Sequence, residues 1–103
     1  MPKVELVYDR DCPNVSEARA QLRRAFARTR LEPSWREWQA DAPDCPEHAR
    51  GYGSPTILID GRDVAGAERG VRASCRLYAR PDGSMRGVPS VEMIEAALAT
   101  SEP

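Results

Sequence analysis

The residues of this chain best suited to covalent or soft-metal chemistry are its three cysteines, Cys12, Cys45 and Cys75. A deprotonated cysteine is both a nucleophile and a soft-metal ligand. An odd number argues against a closed disulfide scaffold and for free, reactive or metal-binding thiols, as expected of a cytoplasmic protein. Cys12 stands in Asp9-Arg10-Asp11-Cys12-Pro13-Asn14-Val15, after an apolar run and before a helical pattern. A strand that delivers a cysteine to the mouth of a helix brings it near unpaired N–H groups and the positive end of the dipole, which favour thiolate. Arg10 works in the same sense, and Asp9 and Asp11 oppose it. Pro13 suits the first helical position, and Asn14 with Glu17 approximates a capping box. Cys45 and His48 have the one-turn spacing that lets two ligands face one metal. Structural zinc takes four, so an exposed thiol and a solvated histidine are expected instead.

The elements that must carry these residues follow from periodicity. In residues 3–8, Val4, Leu6 and Tyr8 alternate with Lys3, Glu5 and Val7, which predicts a buried strand. From 14 to about 30, Val15, Ala18, Leu22, Ala25 and Phe26 share a helical face. Arg19, Arg23, Arg24 and Arg28 fall mostly elsewhere, as a solvated face rather than a polyanion site. Leu31-Glu32-Pro33 ends that helix. Ser34 to Ala40 reads as a second strand with Trp35 and Trp38 on opposite faces, so only one tryptophan need enter the core. Residues 41–53 form a connection rich in Pro and Gly, with room for one helical turn near His48. Thr56 to Ile59 is a β-branched run suited to a fully buried strand, and Asp60-Gly61 is a strong hairpin signal returning through Arg62-Asp63-Val64. Ala73 to Arg80 reads as extended, and Pro81-Asp82-Gly83 as a hairpin tip. Ser90 caps a last helix with the stripe Val91, Ile94 and Leu98.

These signals predict one domain, 1–103, of α/β class: a four-stranded mixed sheet flanked by helices, with an extra loop or hairpin around 67–89. A crossover through a helix makes the first two strands parallel, and the tight turn makes the last pair antiparallel. Charged residues make up 30 % of the chain and the formal net charge is −1, with few aromatics, so neither nucleic acid nor an anionic membrane is an expected partner. No apolar run has transmembrane length, and the chain enters its first strand without a signal-peptide core.

The order of elements is that of the thioredoxin fold. The chain resembles the thioredoxin and glutaredoxin superfamily at Cys12-Pro13, at Ser54-Pro55-Thr56, and at Ile57-Leu58-Ile59-Asp60-Gly61 with Gly66 following. The resemblance implies a cis Pro55 beside Cys12, with Ser54, Pro55 and Thr56 shaping a groove for a thiol partner. The chain departs from the usual redox motif at Val15, where the second cysteine would stand, so it resembles the monothiol variant. Glutaredoxins that keep one cysteine suggest glutathione chemistry. A second resemblance, carried by Cys12, Cys75 and the stretch Ser74-Cys75-Arg76-Leu77-Tyr78 to Gly87-Val88-Pro89, is to small bacterial thioredoxin-like proteins grouped with alkylmercury lyases. In those lyases two cysteines grip the mercury and an aspartate three residues after the first handles the proton. Cys12 and Cys75 match the cysteines, whereas Val15 replaces the aspartate, which weakens the case for carbon–mercury cleavage and leaves soft-metal binding intact.

Three functions therefore stay open. The first is a thiol-disulfide oxidoreductase with Cys12 as nucleophile, needing no resident cofactor and acting on a small thiol or disulfide such as glutathione, or on a protein thiol. The second is a binder of mercuric ion or an organomercurial between Cys12 and Cys75, with or without lyase activity. The third is a redox-inert interaction module.

Overall fold

The computed structural model describes residues 2–68, 70 and 76–100. Strand β1 (Val4–Tyr8) leads into helix α1 (Val15–Ala27), and the chain returns through β2 (Arg36–Gln39). β3 (Thr56–Ile59) and β4 (Arg62–Asp63) follow, then the short pair β5 (Tyr78–Ala79) and β6 (Met85–Arg86), and finally α2 (Val91–Thr100). The main sheet has the order β2-β1-β3-β4, with β1 parallel to β2 and antiparallel to β3, and β3 antiparallel to β4. The expected mixed α/β architecture with a four-stranded mixed sheet is therefore present. The turn between β3 and β4 has positive φ at both central residues, Asp60 (53°) and Gly61 (83°). That is the primed hairpin geometry that Asp-Gly favours.

The two faces of the sheet are covered differently. Val4 and Leu6 of β1 and Ile57 and Ile59 of β3 pack with Ala18, Leu22 and Phe26 of α1 and with Ile94 and Leu98 of α2. Both helices thus lie on one face. On the other, Val7 and Leu58 are covered by Cys45 and Ala49 of the connection between β2 and β3, in which Glu47–Ala49 forms a 3-10 turn. The period-two alternation of β1 and β3 produces this division, since successive side chains point to opposite faces. Each face also takes one tryptophan, so both contribute to packing. Trp35 stacks on Phe26 (centroids 6.1 Å, planes 13° apart), and Trp38 packs on the second cluster.

Helix α1 contains the whole apolar stripe but ends at Ala27, short of the expected end near residue 30. The Thr29 hydroxyl donates to the Phe26 carbonyl at 2.8 Å, and the Thr29 amide bonds the same oxygen. That local competition tightens the last turn and ends the helix. At its start Asn14 is the cap residue but makes no side-chain capping bond, so the capping box does not form and Pro13 precedes the helix. The Asn14 side chain instead lies against Gly87, where a Cβ would fall 2.4 Å from Asn14 Nδ2. In α2 the expected cap is present, with the Met93 amide donating to Ser90 Oγ at 3.0 Å. The hairpin expected at 81–83 also forms, with the Arg80 amide donating to the Ser84 carbonyl and the Gly83 amide to the Arg80 carbonyl, both at 2.9 Å.

Three of the four arginines of α1 and its C-cap, Arg19, Arg24 and Arg28, are held in ion pairs. Arg24 meets Glu17, and Arg28 meets Glu92 and Glu95 of α2. Arg19 forks onto Glu37 (Nε 2.9 Å, Nη2 2.8 Å), and Trp35 Nε1 donates to the same carboxylate at 2.9 Å, tying α1 to β2. The Arg19 hydrogen bond, opposed by burial and aided by Trp35, holds the Glu37 carboxyl below its ordinary range. A carboxyl lowered in the folded state stabilises above its unfolded value and loses that contribution as pH falls through the folded one. The stability gap between the native chain and Glu37→Gln should therefore narrow on acidification below about 4.3. Urea unfolding across that range checks this, and a pH-independent gap would contradict it.

Candidate functional site

Cys12 lies just beyond the C-terminal end of β1, two residues before the α1 cap. Its amide donates to the Asp9 carbonyl at 3.0 Å, closing a turn over Asp9 to Cys12. The cysteine is half-buried and packs against the helix-side core, while Asp9, Arg10 and Asp11 are exposed. Arg10 reaches towards Asp41 at 3.8 Å, with both side chains mostly exposed. An exposed pair at that separation contributes little.

Antiparallel pairing of β1 with β3 sets Thr56 opposite Val7, so the chain entering β3 lies at the same end of the sheet as Cys12. The Asp9 amide donates to Ser54 Oγ at 2.9 Å, joining the two loops directly. The Ser54–Pro55 peptide is cis, as the family resemblance implied. Ser54, Pro55 and Thr56 are all buried, and their polar atoms are engaged inside the protein. The Ser54 carbonyl accepts from the Arg76 amide at 2.9 Å, and the Pro55 carbonyl from the Tyr78 hydroxyl. Thr56 Oγ1 donates to the Gly53 carbonyl at 2.7 Å and accepts from Arg76 at 3.0 Å. Burial pushes the Tyr78 phenol above its usual range, against the opposing charge of Arg76.

The structure thus places Cys12 and the Ser54-Pro55-Thr56 segment at one end of the sheet, joined through Asp9. Cys75 lies outside the described residues, so its expected meeting with Cys12 is neither seen nor opposed. Its neighbour Arg76 is anchored on Ser54.

The second cysteine differs from expectation. Cys45 is buried at 4 % exposure rather than solvent-facing, because it fills the loop-side cluster with Val7, Ala49 and Leu58. Burial raises its thiol pKa, with Arg50 opposing and Asp44 and Glu5 adding to the rise. His48 is not merely solvated either. Its Nε2 lies 2.8 Å from Oε2 of Glu5, a carboxylate only 1 % exposed that also accepts from Trp38 Nε1 at 2.9 Å. Among the described residues no three His, Cys, Asp or Glu side chains converge as a metal site. The one sequence signal for this cluster was an acidic residue inside an apolar strand. Its partners lie 33 and 43 positions away and leave no local pattern.

A cavity of about 600 Å³ opens between β4 and the outer part of α2, lined by Ile59, Arg62, Val64, Met93 and Ala97 among others. It sits at the opposite end of β3 from Pro55, away from Cys12. Among the described residues no helix is long and apolar enough to cross a membrane. The chain matches no protein-family model, and neither a curated protein nor a solved structure is significantly similar to it.

Proposed function

We propose that this is a monothiol protein of thioredoxin-like fold that uses Cys12 as a nucleophile in thiol-disulfide chemistry in the cytoplasm. The observation that carries the reading is the half-buried Cys12, held on a turn that hydrogen-bonds the Ser54-Pro55-Thr56 segment at one end of the sheet. In the reaction, the Cys12 thiolate attacks one sulfur of a partner disulfide. A mixed disulfide forms and the partner's other sulfur leaves as thiolate. An external thiol such as glutathione then attacks the partner's sulfur, releasing Cys12 and leaving the new disulfide on the partner. If Cys75 resolves the intermediate instead, it attacks the Cys12 sulfur, the partner leaves reduced, and the two electrons come from a Cys12–Cys75 pair.

One observation favours a second reading, in which Cys12 and Cys75 hold mercuric ion or an organomercurial. The residue following Cys75 is fixed to Ser54, which itself holds the amide of Asp9. Two thiolates are a sound ligand set for a soft ion.

Labelling with iodoacetamide at neutral pH, with mass spectrometry locating the label, separates these readings from a redox-inert module. Cys12 should react first, with Cys45 lagging because it is buried and its thiol is pushed up. Protection of Cys12 by glutathione disulfide supports the oxidoreductase, and protection of Cys12 and Cys75 together by mercuric ion supports the binder. A Cys12 that reacts no faster than Cys45 would leave only the inert module.

A further inference from the structure

We infer that Arg76 is a positioning residue for Cys12, acting through Ser54 and Asp9; the inference rests on the reading of Cys12 as the reactive thiol. Three hydrogen bonds run in series between them. The Arg76 amide donates to the Ser54 carbonyl at 2.9 Å, the Asp9 amide donates to Ser54 Oγ at 2.9 Å, and the Cys12 amide donates to the Asp9 carbonyl at 3.0 Å.

Each end of this series depends on what holds it. The turn that carries Cys12 has little apolar surface of its own, since Asp9, Arg10 and Asp11 are exposed. Apart from the packing of Cys12 on the core, its geometry comes from β1 on one side and Ser54 on the other. Ser54 is 1 % exposed and leads directly into β3. Arg76 is immobilised by its side chain. The guanidinium forks onto Asp63 at 2.8 and 3.0 Å, donates to Thr56 Oγ1 at 3.0 Å, and lies 4.5 Å from the centre of the Tyr78 ring. A bidentate Arg–carboxylate pair fixes orientation as well as distance. Asp63 also neutralises the guanidinium charge, so Arg76 reaches Cys12 through the order of the Ser54 loop rather than as a cation beside the sulfur.

The test is a mutant cycle on the full chain with two readouts. Ser54→Ala removes the middle bond, and Arg76→Met removes the side-chain anchor. The first readout is the rate at which folded protein forms a mixed disulfide at Cys12 with a small disulfide reagent at neutral pH. The second is hydrogen exchange at the Asp9 and Cys12 amides. Each variant should react about 3- to 10-fold more slowly and exchange both amides faster. The double variant should be no worse than the slower single, because both changes break one series. If Arg76→Met does not fold, Asp63→Asn with Arg76→Met removes both buried charges and takes its place, while Ser54→Ala stands alone as a test. Folded variants that react and exchange like the native chain would overturn the inference, as would effects that multiply in the double. A native Cys12 that reacts no faster than a cysteine in an unstructured peptide would instead sink the thiol reading. The exchange data would still decide whether Arg76 orders the turn.

Discussion

Cys12→Ser is expected to reduce mixed-disulfide formation and mercurial binding to background while leaving the fold in place. A serine hydroxyl is a far poorer nucleophile and soft-metal ligand near neutral pH than a thiolate. The side chain is half-buried and belongs to a turn closed by its backbone amide, which the substitution keeps. The stability cost should stay within about 1 kcal/mol. Cys45→Ser is the informative contrast. It should retain thiol activity yet lose about 1–3 kcal/mol of stability, because it buries a hydroxyl in the cluster of Val7, Ala49 and Leu58. Rates of reaction with a disulfide reagent, set beside urea unfolding of each variant, check both halves. An active Cys12 variant with an inactive Cys45 variant would show that the site has been assigned to the wrong cysteine.

The largest stability effect is expected at Asp63. Its side chain is fully buried, and the Arg76 side chain facing it is 15 % exposed. Besides the fork from Arg76, Asp63 Oδ2 accepts from the Ala67 amide at 2.9 Å. Removing one partner of a buried pair leaves the other charge uncompensated, which costs about 3–5 kcal/mol. A domain of this size has about 5–15 kcal/mol in total, so Asp63→Ala should approach the limit of folding. Asp63→Leu combined with Arg76→Met removes both charges and should cost much less, since a well-packed apolar pair can replace a buried ion pair nearly neutrally. Denaturant midpoints of the single and double variants test this. A single loss below about 1 kcal/mol, or a double variant worse than the single, would rule out the buried-charge explanation.

Much of this arrangement is legible in the sequence, because it is local. The alternation in β1, the β-branched run of β3, the Asp-Gly turn and the Ser90 cap each depend on residues a few positions apart. What escaped was non-local or decided by competition. The Arg76–Asp63 pair joins positions 13 apart in the chain, and the Glu5–His48 contact spans 43. Neither leaves a periodic trace. The early end of α1 turned on one hydroxyl competing for a carbonyl, and the failed capping box on Asn14 being drawn to Gly87. The burial of Cys45 leaves no local signal, because the Pro-rich connection that carries it takes the place of a helix layer. At the candidate site, the turn carrying Cys12 was legible and its attachment to Ser54 was not.

The order of the main sheet has a consequence for growth at its edges. Strand β2 lies at one end and is four residues long, with Arg36 and Glu37 among them, while β4 at the other end is only two residues long. An exposed strand edge is a template on which another chain can add, and charge and shortness are the means by which sheets resist it. One margin here is charged and the other too brief to template a ladder, so the buried apolar run of β3 is kept from the kind of pairing that seeds fibrils.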